Sequence, residues 1–123
     1  MRRVNGLLLA AGIGERLMPL TKEWPKCLMP IGRRALLEYW LETLFRSDVR
    51  RVRVNIHHHA SIVERFLNRS CFSTWVDSVF EPNLLGTAGT IRANSEFLAG
   101  HTVLLAHADN WCQCDLDKFM IYH

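Results

Sequence analysis

The sequence predicts an α/β domain, a mainly parallel sheet with helices on both faces. Short apolar or alternating runs that read as strands recur at Val4–Leu9, Arg51–Ile56, Trp75–Phe80 and Thr102–Leu105. Between them lie stretches with helical apolar spacing, the crossovers that parallel neighbours require. A hydrophobic fraction of 49% and a charged fraction of 22% in 123 residues suit one globular domain, spanning 1–123.

Val4 to Leu9 is short, apolar and closed by Ala-Ala-Gly, as a buried strand would be. Ala10 to Ile31 is punctuated by glycines and by Pro19, Pro25 and Pro30. A connection of that length inside a compact domain is usually functional. Helical spacing follows from Ala35 to Phe45, where Leu36, Leu37, Trp40, Leu41, Leu44 and Phe45 share one face. In Arg51–Ile56, Val52, Val54 and Ile56 alternate on one side. Ser61 stands where a helix could begin, with Ile62, Val63, Phe66 and Leu67 as its apolar stripe. Trp75–Phe80 reads as a third strand, Gly89–Ala93 as a short helix, and Thr102–Leu105 as a fourth strand ending at His107-Ala108-Asp109. Asp115–Phe119 would start a last helix. The bulky aromatics Trp40, Phe45, Phe66 and Trp75 are expected in the core.

A net charge of +3 does not imply nucleic-acid binding. The cluster Arg46, Arg50, Arg51 and Arg53 reads as a solvated helix end and strand start. Cys27 and Cys71 stand alone, and Cys112-Gln113-Cys114 lacks the wider spacing common in zinc sites, so reduced thiols are expected. No apolar stretch is long enough to span a bilayer. Met1-Arg2-Arg3 followed by an apolar run could open a signal peptide. The glycines and charges of Gly12-Ile13-Gly14-Glu15-Arg16 argue instead for a strand and loop, and for a cytoplasmic protein.

In a parallel sheet of this kind, ligands collect at the carboxyl ends of the strands. The glycine-rich loop after Leu9 and Asp109 both fall there. Leu9-Ala10-Ala11-Gly12-Ile13-Gly14-Glu15-Arg16 sets small residues after a strand, where backbone amides can approach a phosphate. Arg16 and Lys26 would bring positive charge to the same polyanion. Leu17 stands where a dinucleotide fingerprint needs its third glycine, and no Gly-Lys-Ser/Thr of a P-loop occurs.

The whole segment, from Leu9-Ala10-Ala11-Gly12-Ile13-Gly14-Glu15-Arg16-Leu17-Met18-Pro19-Leu20-Thr21 to Pro25-Lys26-Cys27-Leu28-Met29-Pro30-Ile31, resembles the N-terminal signature of sugar-1-phosphate nucleotidylyltransferases. Every fixed position of L-A-A-G-x-G-x-R-L-x-P-L-T and P-K-x-L-x-P-I is filled. Glu81-Pro82-Asn83-Leu84-Leu85-Gly86-Thr87-Ala88-Gly89-Thr90 resembles the second nucleotide-contacting segment of that family. The resemblance implies a Rossmann-like three-layer domain, here truncated. It implies a nucleotide held by Leu9, Ala10, Ala11, Gly12, Gly14, Arg16, Lys26, Glu81, Gly86 and Thr87. Arg16, Lys26 and Asp109 would be catalytic, with Asp109 binding Mg²⁺; His107-Ala108 replaces the more usual Asn-Gly before it. Wording like that of mannose-1-phosphate guanylyltransferases favours GTP and mannose 1-phosphate as substrates.

The implied reaction needs no general base, because a phosphate monoester is largely dianionic near neutral pH, its second pKa being about 6. It needs aligned anions and neutralised charge. His57-His58-His59 could suggest a metal site with His107, but adjacent residues at a strand end point to opposite sides. Members of the family continue beyond the equivalent of His123, and that later part supplies the sugar pocket and a second metal-binding aspartate. Three readings stay open: a guanylyltransferase, a uridylyl- or thymidylyltransferase acting on another sugar phosphate, or a non-catalytic nucleotide-binding fragment or regulatory subunit. A homo-oligomer or a complementing chain is compatible with each, and exposed sheet edges would favour association.

Overall fold

A computed structural model describes residues 3–123. Its strands and helices run β1 (Val4–Leu9), β2 (Pro30–Ile31), β3 (Arg34–Ala35), α1 (Leu36–Arg46), β4 (Val52–Ile56), α2 (Ala60–Leu67), β5 (Val76–Phe80), α3 (Gly86–Ala93), α4 (Ser95–Leu98), β6 (Thr102–His107) and α5 (Leu116–Tyr122). The main sheet has the order β5-β4-β1-β6, and every pairing in it is parallel. The predicted α/β architecture therefore stands. β2 and β3 form a separate antiparallel pair that the sequence pattern did not reveal.

β1 is central, paired to β4 on one side and β6 on the other, so both its edges are covered. Its side chains alternate between two cores, as the two-residue period of a strand requires. Leu8 packs into the larger core with α1, α2 and the valines of β4, while Leu7 and Leu9 meet Phe97 and Leu98 of α4 on the other face. Helices on both faces complete the three layers. Buried Asn5 donates its Nδ2 to the carbonyl of Phe97 at 2.7 Å, so the smaller core also has a polar tie.

α1 buries Leu36, Leu37, Trp40, Leu41 and Leu44 against the sheet. Each such aliphatic burial stabilises the fold by about 1.5–3 kcal/mol. Phe45, expected in the core, is 46% exposed. It lies at the margin of that stripe in the last turn, tilts against half-buried Trp75 at 5.2 Å, and sits beneath the guanidinium of Arg50. Trp40 and Phe66 are core residues, as expected.

Element ends shift slightly. α2 begins at Ala60, one residue before Ser61; α3 begins at Gly86, three residues before Gly89; β6 extends two residues past Leu105. α5 begins at Leu116, with the Asp115 carboxylate accepting from the backbone N–H of Lys118 at 3.1 Å. Among the described residues β6 is a sheet edge, pairing only with β1, and its Val103 and Leu105 are exposed. Among the described residues, no helix is long and apolar enough to cross a membrane.

Candidate functional site

The register of the sheet brings the candidate residues together. Leu9 of β1 lies opposite Asn55 of β4 and His107 of β6, so the loops leaving these three strands start side by side. The backbone N–H of Ala108 donates to the carbonyl of Leu9 at 2.9 Å and extends that pairing by one step.

The loop after β1 is folded into three short 3-10 turns, at Glu15–Leu17, Leu20–Lys22 and Lys26–Leu28. Gly14 has φ 70°, in the left-handed region, and a Cβ there would lie 2.7 Å from Cγ2 of Thr21. Glycine is required twice over, by backbone angle and by space. Fully buried Thr21 donates its hydroxyl to the Gly14 carbonyl at 2.7 Å, closing the loop on itself. Gly12 faces open space, and a Cβ added there would meet nothing within 4 Å. Arg16 is exposed on the first turn, and Lys26 is half-buried at the start of the third.

Lys26 and Asp109 meet at this edge, with Nζ 3.1 Å from Oδ2. The loop carrying Asp109 is pinned by Trp40, whose indole N–H donates to the carbonyl of Asn110 at 2.8 Å. A magnesium ion held by one carboxylate, water and substrate phosphates is compatible with this partly exposed oxygen donor. Among the described residues, no group of three or more His, Cys, Asp or Glu could form an all-protein cage.

Glu81 sits differently from Arg16 and Lys26. It is only 4% exposed, and its carboxylate accepts from Thr90 Oγ1 at 2.6 Å, Asn55 Nδ2 at 3.1 Å and the Leu85 backbone N–H at 3.4 Å. Asn55 turns its Oδ1 to the backbone N–H of Ala10 at 2.6 Å. One buried polar network thus joins the glycine-rich loop to the second segment. That amide of Ala10 is already committed, and the Leu9 side chain is part of the smaller core. Gly86, with φ 73°, opens α3, and Thr87 is exposed in its first turn beside Ala88. Ala11 is buried below the loop.

Sequence reasoning missed Asn55, Thr90 and Thr21 as structural partners of the site. For Asn55 a signal existed: a polar residue inside an apolar strand, on the face opposite Val52, Val54 and Ile56. Thr21 and Thr90 close the two signature segments, but no local pattern assigned either one its partner.

A sequence profile described as "Nucleotidyl transferase" matches residues 5–123, nearly the whole chain. The chain belongs to the nucleotidyl transferase family. It is 39% identical over 108 residues to the N-acetylmuramate alpha-1-phosphate uridylyltransferase of Caulobacter vibrioides, a match covering 85% of this chain and 45% of the relative. It is 28% identical over 123 residues to the mannose-1-phosphate guanylyltransferase catalytic subunit beta of Drosophila melanogaster, covering 97% of this chain and 33% of that one. The fold matches crystalline HddC from Yersinia pseudotuberculosis, complexed with GMP-PN, with a TM-score of 0.81 at 24% identity, covering 96% and 53% of the two chains. The nucleotidyl transferase chain described here therefore spans about a third to a half of these relatives.

Proposed function

We propose that this chain carries the nucleotide-binding part of an enzyme that transfers a nucleoside monophosphate from a nucleoside triphosphate to a sugar 1-phosphate. The observation that carries the reading is the convergence of the complete glycine-rich signature, Lys26 and Asp109 on one sheet edge. A phosphate oxygen of the sugar 1-phosphate attacks the α-phosphorus in line. The new P–O bond forms as the bond to the bridging oxygen breaks, and pyrophosphate leaves with that oxygen. No proton must be removed from the nucleophile.

In this reading the open backbone around Gly12 receives the triphosphate, exposed Arg16 neutralises the departing pyrophosphate, and Lys26 steadies phosphate charge at the reacting centre. Gly86 and Thr87 lie at the start of α3, on the nucleoside side. Glu81 acts from beneath, through Asn55, on the loop at Ala10. Mg²⁺, held by Asp109, would supply charge neutralisation for the phosphates. GTP and mannose 1-phosphate are the preferred substrates; the Drosophila relative's name supports them, and the Caulobacter relative's name supports a uridylyl alternative. The residues that complete a sugar pocket would come from a further segment or a complementing chain.

The test is pyrophosphate release from GTP, UTP, dTTP, CTP and ATP, each paired with mannose, glucose and N-acetylmuramate 1-phosphates. Selective turnover identifies the pair. Binding of a triphosphate without turnover under any pairing would reduce the proposal to a nucleotide-binding fragment.

A further inference from the structure

The three consecutive histidines after β4 are not a metal cluster, yet each ring touches a segment of the candidate site. His57 places Nδ1 2.6 Å from the Glu81 carbonyl. His58 places Nε2 2.6 Å from the Thr21 carbonyl. His59 places Nε2 2.9 Å from the Lys22 carbonyl and 3.2 Å from that of Thr21. A carbonyl oxygen only accepts, so each of these ring nitrogens carries its proton and donates.

We propose that His58 and His59 are positioning residues that hold the glycine-rich loop in its ligand-receiving shape, acting through Thr21. The connection is continuous. His58 and His59 fix the Thr21 carbonyl, and the Thr21 hydroxyl fixes the carbonyl of Gly14, whose left-handed backbone sets the turn at Glu15–Leu17. His57 ties the same short turn to Glu81, so one stretch of chain sets the spacing of both segments.

Two further observations support a clamp over ordinary packing. All three rings are only half-buried, so burial of apolar surface does not account for their placement. His59 also holds φ 51° and ψ 42°, a left-handed backbone uncommon for a residue with a side chain, and that backbone brings its ring over Lys22. The His58 and His59 rings lie 4.1 Å apart, edge to face, and share one acceptor.

The consequence for nucleotide affinity rests on the proposed function; the clamp itself does not. Hydrogen–deuterium exchange on the ligand-free protein separates the two. His58→Ala should speed exchange at the Leu17 and Lys22 amides, which bond Gly14 and Pro19 carbonyls, by about five- to tenfold, with β1 and β4 unchanged. His58→Gln, whose amide nitrogen can donate to the same carbonyl, should restore most of the protection. His59→Gly suits the left-handed backbone and should loosen the loop without lowering the melting temperature. Nucleotide dissociation constants should rise in step with loop exchange.

Unchanged loop exchange in both His58→Ala and His59→Gly would overturn the proposal. So would equal acceleration throughout β1 and β4, which would mark the histidines as general fold supports. A protein with the predicted exchange pattern that binds no nucleotide would keep the clamp and refute the functional reading.

Discussion

Lys26 and Asp109 are 83 residues apart in sequence, and their charged ends meet at 3.1 Å. The loop after β1 and the loop after β6 bring them there, because those two strands are neighbours. Both side chains are partly exposed, so the pair itself contributes little to stability, about 0–1 kcal/mol. In the proposed function its value lies in placing a cation, and a carboxylate that would hold Mg²⁺, beside the same phosphates. Lys26→Met and Asp109→Asn should each leave the melting temperature nearly unchanged. Each should lower kcat/KM about a hundredfold or more, as loss of one preorganised charge contact does. Melting curves and initial-rate kinetics on the same preparations check both halves.

Gly12 and Gly14 should respond differently to alanine. At Gly14 the new Cβ meets Thr21 and the left-handed backbone is strained, so Gly14→Ala should destabilise by about 1–2 kcal/mol and displace the loop. At Gly12 the Cβ enters open space, so folding should be unaffected and only ligand approach impeded. Urea unfolding and nucleotide titration, run on both variants, distinguish strain from occlusion.

The network beneath the loop predicts a stability effect at a position that resemblance assigns to ligand contact. Glu81→Leu would leave the buried Thr90 hydroxyl without its acceptor and the Asn55 amide with only its long 3.4 Å contact to Thr90 Oγ1, costing about 1–3 kcal/mol. Nucleotide affinity should fall as well, because Asn55 holds Ala10. Calorimetric unfolding and nucleotide titration would show the two losses together.

The cysteines offer a chemical check on burial. Removal from water pushes the Cys27 thiol up to about 12, well above its ordinary value. Near pH 8 Cys27 therefore keeps its proton, and the thiol is a far weaker nucleophile than the thiolate. Exposed Cys71 and Cys114 should be alkylated by iodoacetamide in the native state, with Cys27 reacting only after unfolding. Peptide mass mapping reads the result directly.

Much of this architecture was legible because strand and helix periods are local. The alternation of Val52, Val54 and Ile56 and the α1 stripe each name their own buried face. Parallel order then followed from the helical crossovers, and with it the edge where the glycine-rich loop and Asp109 converge. The β2–β3 pair was not legible, since two residues per strand carry no period. The first turn of α3 was missed because Gly86-Thr87-Ala88-Gly89 is a weak helix former held by its surroundings. Phe45 was misplaced because a helical stripe has a margin, and the final turn reaches beyond the buried face. Asn55 was marked as a polar residue inside an apolar strand, but its pairing with Glu81 and Thr90, and the contacts of the histidines, join distant segments that no local pattern pairs.

The most direct test of the central claim is a thermal melt of the purified chain with Mg²⁺ and GTP, then UTP, dTTP and ATP. A ligand that binds only the folded state stabilises it by about 2.7 kcal/mol at a hundredfold excess over its dissociation constant. The predicted result is a cooperative transition raised by nucleoside triphosphate, most by GTP. A cooperative transition that no triphosphate moves would contradict nucleotide binding by this chain.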